Sequence, residues 1–229
     1  MMFENKVPII TLDGPSGTGK GTLCHRLAKQ LHWHLLDSGS LYRVLAYAAH
    51  QCHIPFDAVE ALVALAQSLN LQFVLDADDS NRVQLDGVDI SQSIRSEACG
   101  QQASIIAAVP EIRAALLERQ RAFAKLPGLV TDGRDMGTVV FPEASLKIYL
   151  YASPEERANR RYLQLKAQGN HVRLAQVIDE LVKRDARDTA RSCAPLKPAV
   201  DAIQIDTTKL TIDDVLEQVM QLVKHRALV

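Results

Sequence analysis

The sequence predicts an α/β fold, a parallel β-sheet flanked by helices. Three observations lead there: a glycine-rich loop between an apolar run and a helical pattern, short apolar runs alternating with longer helical patterns, and one stretch near residues 70–95 where the period changes. The loop is Leu12-Asp13-Gly14-Pro15-Ser16-Gly17-Thr18-Gly19-Lys20-Gly21-Thr22, after the apolar run Val7-Pro8-Ile9-Ile10. Strand, glycine turn and helix in that order form a cradle for phosphate. Glycines let backbone N–H groups converge on anionic oxygens without a Cβ in the way. Lys20 then reaches the terminal phosphates, and the hydroxyl of Thr22 falls near the metal that accompanies them. Gly21 stands where Ser or Thr commonly follows the lysine, so the hydroxyl arrives one residue later.

The remaining elements follow from periodicity and breakers. Thr22 to Leu31 reads as a helix and Trp33 to Leu36 as a strand ending at Asp37-Ser38-Gly39. Helices are expected over about Ser40–Gln51 and Asp57–Leu69. Leu71-Gln72-Phe73-Val74-Leu75 and Arg82-Val83-Gln84-Leu85 then alternate as strands do, with Asp78-Asp79-Ser80-Asn81 as the turn between them. This is a small β-rich insert near residues 70–95. Ala98–Ala108 is helical, and Pro110 opens a further helix to about Lys125, at a position where proline is tolerated. Gly128–Thr131 and Leu146–Leu150 read as central strands. Pro154 opens a helix to about Ala167, stopped by Gly169. Another helix runs from Leu174 to Arg191, before Pro195 and Pro198. Asp201–Ile205 is the last strand, and Thr211 starts the final helix. One domain is expected over residues 1–229, with a lid at about 153–170.

Composition narrows the function. With 47% hydrophobic residues in 229, the chain can bury one sizeable core. A formal net charge of −1 and 5% aromatic residues argue against a nucleic-acid-binding module, which would carry a basic balance or stacking platforms. Neither a signal peptide nor a membrane-spanning run is evident, so a cytoplasmic protein without membrane contact is expected. Cys24, Cys52, Cys99 and Cys193 are scattered, which fits reduced structural thiols. His50, Cys52 and His53 cluster, but no further ligand stands at a useful spacing for zinc.

Three further groups of residues carry chemistry. Asp37-Ser38-Gly39-Ser40-Leu41-Tyr42-Arg43 lies beyond the second strand, where doubly wound sheets bind ligands. Arg43 could fork onto phosphate oxygens there. A helix cap plus a solvated arginine is the competing reading. Asp132-Gly133-Arg134-Asp135-Met136-Gly137-Thr138 follows a central strand, offering Arg134 for phosphate and Asp135 for a base edge or sugar; an internally paired loop is the alternative. Arg184, Arg187, Asp188 and Arg191 share one helical face, and Arg157, Arg160 and Arg161 cluster on the preceding helix. Such runs are often solvated faces with local ion pairs. Two arginine clusters in a chain of balanced charge also suit convergence on a polyphosphate, as phosphoryl transfer requires, and Arg157, Arg160 and Arg161 suit a lid that excludes water.

GPSGTGKGT, LLDSGSLYR, GRDMGTVVFP and KRDARDTAR, in this order and spacing, resemble the bacterial cytidylate kinases. The similarity covers essentially the whole chain, and the insert resembles that family's enlarged monophosphate-binding region. The late hydroxyl of the loop looks like that of nucleoside monophosphate kinases, which implies a parallel sheet of the P-loop NTPase type. The resemblance implies transfer of the γ-phosphoryl group of ATP to CMP or dCMP with Mg²⁺; a monomer is the default expectation. The same resemblance implies that Gly14, Pro15, Ser16, Gly17, Thr18, Gly19, Lys20, Gly21 and Thr22, with Arg157 and Arg161, bind ATP. Ser38, Ser104, Arg113 and Asp135 match positions that contact cytosine or hold its site. Arg43, Arg134 and Arg191 match monophosphate contacts, Arg184 and Asp188 contacts to the sugar and its surroundings. Lys20, Arg134 and Arg191 are thereby the catalytic candidates, and Thr22 the candidate for Mg²⁺. Cytosine agrees with this set: its exocyclic amine is a donor, for which a carboxylate is the natural acceptor, whereas uracil would oppose Asp135 with a carbonyl. A GTP-binding switch would need an N-K-x-D motif after a later strand, and Asn5-Lys6 precedes the loop. A small-metabolite kinase, or an enzyme preferring UMP or AMP, is the runner-up.

Overall fold

A computed structural model describes residues 6–75, 81–167, 169 and 171–228. In chain order its elements are β1 (Ile9–Asp13), α1 (Lys20–Leu31), β2 (His34–Asp37), α2 (Ser38–Gln51), α3 (Val59–Ser68), β3 (Leu71–Leu75), β4 (Asn81–Leu85) and β5 (Val88–Asp89). There follow α4 (Glu97–Ile106), α5 (Pro110–Arg121), β6 (Leu129–Gly133), β7 (Leu146–Tyr151), α6 (Pro154–Ala167), α7 (Leu174–Ala190), β8 (Ile203–Asp206) and α8 (Ile212–His225). The chain forms two compact units, residues 1–37 with 120–229, and residues 38–119.

The first unit is built on a five-stranded parallel sheet in the order β2-β6-β1-β7-β8. Its central strands bury both faces: every residue of β6 is buried, as helix-covered parallel strands require. Ile10, Leu12, Val130, Ile148 and Leu150 pack with Leu23 and Leu27 of α1 and Val215, Val219 and Val223 of α8. Register places Asp13 beside Gly133 and Asp37 beside Asp132. The loops after β1 and β6 therefore leave side by side from the carboxyl ends of the strands, which is where ligands bind in such folds. Helices α6 and α7 hold a small core of their own, Ala158, Leu165, Val177 and Leu181. Thr211 and Asp214 close a reciprocal capping box on α8, a cap of about 1 kcal/mol.

In the second unit α2 is the organising helix. Val44, Leu45 and Ala49 pack with Leu62 of α3, Ile106 of α4, and Ile112 and Leu116 of α5. The expected hairpin is present, β3 antiparallel to β4, within a three-stranded sheet completed by β5. Val83 of β4 joins the core. The expected turn at 78–81 falls largely on residues 76–80, outside the described residues.

Several boundaries differ from the sequence reading. Helix α1 begins at Lys20 rather than Thr22, because Gly19 in the left-handed region turns the chain straight into the helix. Helix α2 begins at Ser38 rather than Ser40, directly on the end of β2. Helix α5 stops at Arg121, short of Lys125, and the last strand is Ile203–Asp206, two residues beyond its expected start. Three elements were not anticipated: β5, a 3-10 turn over Ser93–Arg95, and a π-helical turn over Met136–Val140.

Candidate active site

The loop after β1 is shaped by positive φ angles at Gly14, Gly17 and Gly19. Two of these glycines also allow close approach. A Cβ on Gly14 would lie 2.0 Å from the Leu150 carbonyl oxygen, and one on Gly17 would lie 2.7 Å from that of Arg157. The loop is thus wedged between β7 and α6, where only glycine fits. It delivers the chain to α1, whose first turn has no acidic residue and no side-chain cap. The positive end of that helix and its leading N–H groups suit an anion.

Lys20 is buried, and its Nζ donates to the Pro15 carbonyl at 2.6 Å and the Thr18 hydroxyl at 3.3 Å. Burial, and then the neighbouring Arg134, pull its ammonium well below the usual lysine range. Asp132 is displaced in the opposite sense: burial, then Asp37 on the adjoining strand, push its carboxyl well above the usual range. Its Oδ1 is buried without a hydrogen-bond partner in the protein. Asp13 is raised to about 6 by burial, against the pull of hydrogen bonds from Gly137 and Met136. Cations and carboxylates are thus desolvated together at this end of the sheet. A bound polyanion would favour the charged form of Lys20.

Arg134 ties this loop to α7. Its Nη2 donates to Ser16 Oγ at 2.7 Å, its Nε to Asp188 Oδ2 at 2.9 Å and its Nη1 to the Gly133 carbonyl at 3.1 Å. Burial raises Asp188, but Arg134, Arg184 and Arg191 outweigh it and hold the carboxyl below its ordinary value. Arg191 is buried just past the end of α7, with its Nε donating to the Asp188 carbonyl at 3.2 Å. Asp135, also buried, stands immediately before the π-helical turn.

The arginines of α6, read from the sequence as a lid cluster, each make contacts within the protein. Arg157 is buried, braced by the Ser16 carbonyl at 3.1 Å and paired with Asp185. Arg160 binds Glu156 and the Thr207 carbonyl, fastening α6 to the segment after β8. Arg161 donates to Gln164 at 2.9 Å on the same helix. Thr22 is exposed on the first turn of α1.

The second unit gathers the other expected residues by itself. The Arg43 guanidinium lies over Gly100, where a Cβ would come within 2.7 Å of it, and donates to the carbonyls of Ile94 and Ser96. Arg113 is buried, donates to the Ala107 carbonyl at 3.0 Å and sits 5.5 Å from the Tyr42 ring centroid, within cation–π range. Ser38 and Ser104 are buried at α2 and α4. Asp185 was read only as a local ion-pair partner, and it pairs with Arg157. Sequence reasoning passed over Asp13 and Asp132. The burial that makes them unusual comes from strand register and helix packing.

A family model described as cytidylate kinase matches residues 10–225. This chain belongs to the cytidylate kinase family. It is 56% identical over 219 residues to a cytidylate kinase of Pseudomonas fluorescens (strain Pf0-1), covering 95% of this chain and 96% of that protein. To the cytidylate kinase of Stutzerimonas stutzeri (strain A1501) it is 55% identical over 223 residues, with 97% of each chain covered. A cytidylate kinase of Pseudomonas putida (strain W619) matches at 52% identity across 99% of this chain and 100% of its own length. Among the described residues no helix is long and apolar enough to cross a membrane.

Proposed function

We infer that this family member transfers the γ-phosphoryl group of ATP to CMP or dCMP, giving ADP and the pyrimidine diphosphate. The observation that carries the reading is Lys20. It is a buried amine held by its own glycine loop at an acid-free helix start, with Arg134 on Ser16 of the same loop. Phosphoryl transfer asks the protein for positioning and for positive charge around the moving group, and these side chains supply both.

In this reading the loop amides and Lys20 hold the β- and γ-phosphates. Arg134 and Arg191 take the acceptor phosphate, and Arg43 is assigned to it by its motif. Asp188 and Arg184 serve the sugar and its surroundings, and Ser38, Ser104, Arg113 and Asp135 the base. Arg157 supports the loop from behind, and Arg161 is assigned to ATP by its motif alone. The donor set also fits Mg²⁺, a hard cation that takes one or two protein oxygens together with phosphate oxygens. Thr22 and the orphaned Asp132 Oδ1 would hold it, directly or through water. When bound, the ion neutralises charge on the β- and γ-phosphate oxygens. In this reading the protein is a cytoplasmic monomer that takes ATP and CMP or dCMP.

No Ser-His-Asp or Cys-His arrangement that would activate a nucleophile stands among the described site residues, so in this reading the acceptor phosphate attacks ATP directly and in line. With an isotopically chiral γ-phosphate the product is expected with inverted configuration. Retention would require a phosphorylated protein intermediate and would reject direct transfer.

A further inference from the structure

Asp13 belongs to none of the roles assigned so far, yet both of its carboxylate oxygens are committed. Oδ1 accepts the Met136 N–H at 2.9 Å and Oδ2 the Gly137 N–H at 2.7 Å. These two residues open the π-helical turn Met136–Val140 and directly follow Asp135. The leading N–H groups of such a turn lack partners within it, so the carboxylate works as a cap from another strand. Gly137 permits the approach: a Cβ there would lie 2.9 Å from the Thr11 hydroxyl and 3.3 Å from Asp13 Oδ2.

The chain around Arg134 and Asp135 is thus fastened to β1 on both sides. Before them, Gly133 is in register with Asp13 in the parallel ladder; after them, the Asp13 side chain holds Met136 and Gly137. Arg134 and Asp135 form the two-residue corner between these anchors. Asp13 also directly precedes Gly14, the first glycine of the phosphate loop. One residue therefore sets the spacing between the donor loop and the corner carrying Arg134 and Asp135.

We propose that Asp13 is a positioning residue for base selection, fixing the Arg134–Asp135 corner through the Met136 and Gly137 amides so that Asp135 meets the cytosine amine. This rests on the reading of Asp135 as the group that recognises the base. In Asp13→Asn the side chain keeps its shape, but its NH₂ faces a backbone N–H and one of the two bonds is lost.

The test is steady-state kinetics of full-length protein with CMP and UMP for Asp13→Asn, Asp135→Ala and the double variant. For Asp13→Asn, kcat/KM for CMP is expected to fall about tenfold or more, chiefly through KM, with the CMP to UMP ratio falling by a similar factor. In the Asp135→Ala background the same change should leave the ratio unmoved, because the side chain it positions is gone. Equal losses for both substrates, or effects on the ratio that multiply in the double variant, would overturn the proposal. An unchanged ratio in Asp135→Ala alone would instead overturn the base reading. If Asp13→Asn shows no cooperative melting, Gly137→Ala takes its place, since it crowds the clamp while leaving the carboxylate, with the same expectations. Should neither variant fold, the clamp is structural support and the proposal fails.

Discussion

Lys20→Met is expected to lower kcat by about a thousandfold, the scale of removing a preorganised charge from a phosphoryl-transfer or oxyanion site. Methionine has similar length and no charge, so the loop keeps its filling. The thermal midpoint should hold or rise, because the amine is desolvated and lies beside Arg134, and both features disfavour its charged form. Lost turnover without lost stability separates a ligand-binding lysine from a structural one. Turnover near that of the unaltered protein would contradict the assignment, and so would a collapse of the thermal midpoint matching the loss of activity.

Asp135→Ala is expected to reduce the CMP to UMP ratio of kcat/KM by about one to two decades. That follows from losing a charge-assisted hydrogen bond of roughly 1.5–3 kcal/mol to the exocyclic amine. The loss should fall on CMP, with UMP declining much less or improving, since uracil presents an acceptor to the buried carboxylate. Affinity for a non-hydrolysable ATP analogue, measured by calorimetry, should hardly change. Equal declines for CMP and UMP would make Asp135 a general electrostatic residue.

What could be read from the chain and what could not follow the same physical line. The phosphate loop was legible because the chemistry needs glycines at fixed spacing, and Gly14 and Gly17 sit where a Cβ would collide with Leu150 and Arg157. The β3–β4 hairpin was legible from alternation alone. The third strand of that sheet had a signal that was not used: Asp86 and Gly87 both take positive φ, the Asp-Gly pattern of a tight hairpin turn. The π-helical turn had no local signal, since it is capped by Asp13 from 123 residues away. Asp132 looked ordinary in sequence, because its proximity to Asp37 arises from the β2–β6 register. Arg157 and Arg160 read as a cationic cluster suited to a lid or to a solvated face. Nothing in their spacing shows that one braces Ser16 and the other binds Thr207.

This chain phosphorylates CMP and dCMP at the expense of ATP, and in the proposed reading selection rests on the cytosine amine. The most direct measurement is ADP release in a coupled assay with ATP, Mg²⁺ and, in separate reactions, CMP, dCMP, UMP, AMP and shikimate. The account predicts rapid release with CMP and dCMP, release at least about tenfold slower at equal concentration with UMP, whose carbonyl opposes a buried carboxylate, and little with AMP or shikimate. Equal or faster release with UMP, AMP or shikimate than with CMP would contradict it.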